Sequence, residues 1–259
     1  MGRKYELTEE TIECGGKSLH RIRAISGFYD VEPGDLGGFV ESETNLSHEG
    51  NCWVYDDAKV FDEARVMDDA QLRGRACAFG AARVVTGAIV SDAAIISGDA
   101  LVCGFAHVSG NAEISGHAKI GEGARAFDHA RVSDSALLTD YACVYGHACI
   151  SDNALICSHA QIYGDAQVFR HAQVFDEARV FEHASIFDSA CVFEHAVVRD
   201  CAMVHGEAHV FGRAWITDYA DVSCRAKVRD DARVSQYAKV DGNTVLSGRA
   251  HDFGQYGKD

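Results

Sequence analysis

Residues 166–196 read AQVFRH-AQVFDE-ARVFEH-ASIFDS-ACVFEH-A, the same six-residue phrase five times over. Its register runs far beyond this stretch. Counting every sixth residue from Ala58 to Ala250 gives 33 positions, of which 32 are Ala and only Thr244 differs. Two residues after each Ala stands an aliphatic, from Val60 and Val66 to Val240 and Leu246; Ala78 and Ala126 are small exceptions, and Asp252 ends the series. Two residues further on comes mostly Gly or Asp, so the unit is A-x-[VIL]-x-[GD]-x. A spacing of two puts the Ala and the aliphatic on one face of an extended strand. The Gly or Asp marks a bend, where left-handed backbone is cheap. A strict period of six leaves no stripe at spacings of three and four, which excludes a helical reading. One short strand cannot bury its apolar side alone, so successive turns of chain must stack on a shared core. The only proline, Pro33, lies outside the repeat, as expected if the ladders need every backbone N–H.

Composition agrees. The 259 residues are 47% hydrophobic and 24% charged, with a formal net charge of -15. That balance fits a folded chain and argues against a generic nucleic-acid or anionic-membrane surface, both of which need cationic patches. The start, MGRKYELTEE, lacks the apolar core of a signal peptide, and no apolar run reaches the length of a membrane span. Ten cysteines form no CxxC pair and no framework of spacings, so reduced thiols and a cytoplasmic location are expected.

The ends of a stack of strands need covering. Residues 4–25 read as two strands joined at Cys14-Gly15-Gly16-Lys17, a hairpin that would cap the N-terminal end. The expected division is a cap and Gly-rich entry loop over 1–50, a parallel β-helix over 51–250, and a tail over 251–259 in which Phe253 and Tyr256 could plug the core.

The entry segment GDLGGFVESETNLSHEGNCWVYDDA (34–58), with Gly37-Gly38-Phe39-Val40 and Gly50-Asn51-Cys52-Trp53-Val54-Tyr55 in that order, resembles the YdcK-like hexapeptide-repeat proteins, a group labelled acetyltransferases. The repeats resemble hexapeptide β-helices generally. The resemblance implies an all-β, single-stranded, left-handed parallel β-helix of triangular section with about 18 residues per coil, hence roughly 10 to 11 coils at ~4.8 Å per rung. One departure is visible: the usual hexapeptide puts its Gly or acidic residue directly after the aliphatic, whereas here it comes one place later and the vacated slot often holds Phe, Tyr or Ser.

With three hexads per coil, outward residues form columns. Seven of the thirteen histidines occupy the slot before Ala, and His129, His147, Asp165 and His183 share a column, as do His159, Glu177 and His195. Stacked imidazoles can share a proton or a metal, but the same slot accepts Asp, Asn, Arg and Tyr, as a solvated polar ladder would. No metal site is assigned. In the slot after the aliphatic, Phe127, Tyr145, Tyr163 and Phe181 form one column, Phe175, Phe193 and Phe211 another, and Phe169 and Phe187 a third. Strand alternation points these rings away from the core, either to stack on one another or to form an interface.

The preferred reading is a non-catalytic structural or protein-interaction scaffold without cofactor, forming a homo-oligomer or binding a protein partner through its aromatic flank. The resemblance implies the alternative: an acyltransferase using acetyl-CoA or another acyl-CoA, with His129, His147 or His183 as general base at a subunit interface. The unbroken register from 58 to 250 offers no inserted loop to wall such a site, which weighs against it.

Overall fold

The computed structural model describes residues 2–253. It is all-β, apart from a 3-10 turn at Glu43–Asn45, and is a β-solenoid with parallel strands. Its internal contacts divide it into two units, 1–128 and 129–259.

The first unit opens with strand β1, Tyr5–Cys14, and strand β2, Lys17–Ala24. They pair antiparallel from Tyr5↔Ala24 to Cys14↔Lys17 around the turn expected at Gly15-Gly16, whose φ angles of 57° and 77° suit glycine. The stretch expected to be an entry loop holds a third strand, β3, Leu36–Val40. It runs antiparallel to β2 (Arg21↔Phe39) and parallel to the first rung of the solenoid (Phe39↔Lys59, Val40↔Val60), so stacking begins before residue 51. Gly37 and Gly38 permit this approach. A Cβ at Gly37 would lie 2.6 Å from the Val54 carbonyl oxygen, and one at Gly38 would lie 2.4 Å from that of Ala58.

Three ladders follow in this unit. Their register is Lys59↔Cys77↔Ile95↔Glu113, Arg65↔Arg83↔Leu101↔Lys119 and Trp53↔Gln71↔Ile89↔His107↔Arg125. Every step advances the chain by three hexads, which make one coil. In the second unit the ladders run Arg131↔Cys149↔Gln167↔Ser185↔Met203↔Asp221↔Lys239 and, on the other two faces, from Leu137 to Val245 and from Cys143 to His251.

The hexad explains itself in this geometry. The Ala and aliphatic slots from Ala58 to Val240 are buried, and the residue between them faces out. The bend slot has φ near 60° throughout, whether occupied by Gly (Gly74, 67°), Asp (Asp92, 60°) or Glu (Glu182, 59°). The turn closes when the Ala N–H donates to the carbonyl three residues earlier, as Ala94 does to Ser91 at 3.2 Å. Acidic bend residues do more than tolerate the conformation. Asp92 Oδ2 accepts the N–H of Gly110 at 3.0 Å, and Asp200 Oδ2 accepts that of Asp218 at 3.0 Å, in each case the equivalent residue one coil on. The other outward-turned amides, such as Lys59 N to Ala76 O at 2.9 Å, donate to the following coil. The bend amide points back instead, and where the preceding coil's bend residue is acidic, as at Asp92 and Asp200, its carboxylate meets it.

The cap is bound by a buried ion-dipole contact. Lys4, 4% exposed, donates from Nζ to the carbonyl oxygens of Cys52 (2.8 Å) and Gly50 (3.3 Å), and its Nζ lies 3.3 Å from Cys52 Sγ. Burial pulls the Lys4 ammonium below its ordinary pKa and pushes the Cys52 thiol above its own. Trp53, in a slot that faces outward elsewhere, is covered here by Tyr5 and Phe28. At the other end Thr244 is exposed and Leu246 half-buried in the last described coil; Phe253 is 52% exposed, and Tyr256 lies outside the described residues.

Candidate functional site

Each corner of a coil carries the residue after the aliphatic, the bend residue and the residue before the next Ala. In the second unit one corner therefore reads Tyr145-Gly146-His147, then Tyr163-Gly164-Asp165, then Phe181-Glu182-His183, one coil above another. The side chains follow this order. His129 and His147 stack at 4.8 Å between ring centroids, and His183 Nδ1 lies 3.6 Å from Asp165 Oδ2. On the next column His159 stacks on Tyr141 at 5.3 Å, and His195 Nδ1 approaches Glu177 Oε2 at 3.2 Å. In the first unit His117 meets Asp99 at 3.3 Å in the same fashion. Members of these columns thus meet in pairs, and they stand on open corners: the His183 side chain keeps 67% of its surface in solvent. No group of three His, Cys, Asp or Glu side chains able to hold a metal ion is found among the described residues.

The aromatic columns of the second unit also form. Tyr145, Tyr163 and Phe181 stack at 4.9 and 4.7 Å, Phe175, Phe193 and Phe211 at 4.9 Å each, and Phe169 and Phe187 at 5.1 Å. Phe127 sits in the corresponding slot of the first unit. All nine are half-buried, and the eight of the second unit set their ring faces against one another. Burial raises the Tyr163 hydroxyl above its ordinary pKa.

One cluster escaped the sequence reading. The ring of His205 extends the Phe187 column, stacking at 4.7 Å, and its Nε2 lies 2.9 Å from Asp221 Oδ1 and its Nδ1 3.8 Å from Asp188 Oδ2. Asp188 also pairs with Arg170, whose hydrogen bond holds that carboxyl below the usual range. His205 belongs to the aromatic slot rather than the histidine-rich one, so a search for histidine columns passes over it. Asp188 and Asp221 are distant from it in sequence, one on either side, and become its neighbours only through the coil.

No family model matches the chain. A 62-residue stretch is 48% identical to the Escherichia coli (strain K12) protein named "Uncharacterized acetyltransferase YdcK", covering 21% of this chain and 19% of that protein. The match therefore spans about a fifth of that relative's length. With the three-hexad coils, this similarity fits a hexapeptide-repeat protein. No helix among the described residues is long and apolar enough to cross a membrane.

Proposed function

We propose that this chain is a non-catalytic β-solenoid scaffold that associates, foremost with copies of itself, through the aromatic ladders of residues 145–211. The observation that carries this reading is where the rings are placed. The slot after the aliphatic holds Ser91, Ser97, Ser109 and Ser115 in the first unit, beside Phe61, Phe79 and Phe127, so the corner itself does not require a ring. In the second unit the same slot carries eight Phe and Tyr rings and that of His205, distributed over all three corners. Stacking along a ladder accounts for the ring faces; the edges remain available to a partner, and clustered apolar surface of this kind marks interfaces. Light scattering of the purified chain should give a mass above 28.0 kDa, and the chain should release no free thiol from acetyl-CoA. A monomer, or turnover of acetyl-CoA to free thiol, overturns the reading.

A second reading is favoured by the His183–Asp165 and His195–Glu177 pairs and by the name of the E. coli relative. A carboxylate beside Nδ1 leaves Nε2 facing solvent, the arrangement a general base requires. In this acyltransferase reading His183 takes the proton of an acceptor attacking an acyl-CoA thioester. Release of free thiol from acetyl-CoA, lost in His183→Ala, would favour it over the scaffold.

A further inference from the structure

The chain as a whole is strongly acidic, yet one face of the second unit reverses that sign. In successive rungs, Trp215 is paired with Arg233 and Arg233 with His251. Two residues earlier in each rung stand Arg213, Asp231 and Arg249, and these residues line a groove of about 420 Å³ with Arg233 and His251. Asp231 is engaged: its two oxygens take Nε and Nη2 of Arg213 at 2.9 and 3.0 Å. The Arg233 guanidinium lies 5.7 Å from the Trp215 ring centre, and Arg199 flanks the same ring at 5.7 Å. Trp215 therefore orients Arg233 without neutralising it. Among the described residues, neither Arg233, Arg249 nor His251 has a carboxylate within ion-pair distance.

We propose that Arg233, Arg249 and His251 form a binding site for a small ligand bearing a diphosphate or paired phosphoryl groups. Guanidinium forks match phosphoryl oxygens bidentately, and arginine retains its charge at any physiological pH. Arg233 and His251 hold the same position in neighbouring rungs, ~4.8 Å apart and within the span of two linked phosphoryl groups, and Arg249 stands two residues before His251 in its rung, where its guanidinium can take a further phosphoryl oxygen. The site is independent of both readings of the aromatic ladders and histidine columns.

Calorimetric titration of the full chain with inorganic pyrophosphate at low salt tests this. Binding is expected in the unaltered protein and should weaken about tenfold or more in both Arg233→Gln and Arg249→Gln. The control Arg65→Gln, at an exposed arginine of the first unit, should bind as the unaltered protein does. All these positions are exposed, and coincident melting curves establish that each variant is folded. Absence of binding heat overturns the site, as does a loss no greater in the two groove variants than in Arg65→Gln. Hexaglutamate binding more tightly than pyrophosphate overturns the ligand class in favour of an acidic peptide.

Discussion

At Asp92 two demands meet in one side chain: the backbone is left-handed, with φ of 60°, and the carboxylate accepts the Gly110 amide at 3.0 Å. Left-handed backbone costs an ordinary L-residue about 1–2 kcal/mol, and a hydrogen bond contributes about 0.5–1.5 kcal/mol net. Asp92→Ala loses both and should destabilise by about 2–3 kcal/mol in urea unfolding, whereas Asp92→Gly loses only the bond and should cost about half as much or less. Equal losses in the two variants would show that the backbone conformation is not a separate demand. The Gly-or-Asp alternation at this slot is legible in the sequence as a bend. The acceptor role is not, because the amide it serves lies a full coil further along the chain and depends on the coil register. Cysteines show a related effect of position. Burial pushes the Cys77 thiol up from 9.0 to about 11. Between those values the folded chain keeps a proton that the unfolded chain has released, so this group's contribution to stability falls as pH rises above 9.0. Cys77 should accordingly lag well behind the exposed Cys224 in alkylation at pH near 9, as peptide mapping would show.

Along an element, the two faces of the strand predict opposite sensitivities. Ile186 and Ala190 are both fully buried. Ile186→Ala should cost about 2–5 kcal/mol through lost burial and a cavity, and Ala190→Leu about 1–3 kcal/mol or more through overpacking. On the outer face, Phe193 stacks between Phe175 and Phe211, whereas Phe211 has one stacked partner in this column. At about 0.5–1.5 kcal/mol per pair, Phe193→Ala should cost close to twice what Phe211→Ala does; equal costs would mean the rings do not support one another. These faces were legible because period six fixes which residue points inward. Strand β3 was not, since Gly37 and Gly38 read as loop. Their absence of side chains instead reflects a backbone pressed against Val54 and Ala58. Gly38→Ala should therefore lower the melting temperature and loosen the cap, detectable as faster amide exchange in β1 and β2. Lys4 was equally hidden: nothing in MGRKYELTEE marks which of its cations will be buried against Cys52.

For the molecule as a whole, charge and apolar surface oppose each other. With 24 basic and 39 acidic residues, two copies repel at low ionic strength, where screening extends over ~10 Å at 0.1 M and farther in weaker salt. Contact through the ring edges of residues 145–211 is opposed by that repulsion and supported by burial of apolar area, which salt does not weaken. Association through the arginine-rich face would behave in the reverse sense, since pairing Arg233 and Arg249 with a neighbour's carboxylates is screened by the same ions. Sedimentation velocity at about 0.05 and 0.5 M NaCl separates the two by the sign of the change. The aromatic interface predicts a larger oligomer fraction at high salt, abolished in Phe175→Ser/Phe193→Ser at either concentration. An oligomer that instead dissociates as salt rises, and survives that double substitution, would place the contact on the arginine face and leave the ladders to their internal stacking.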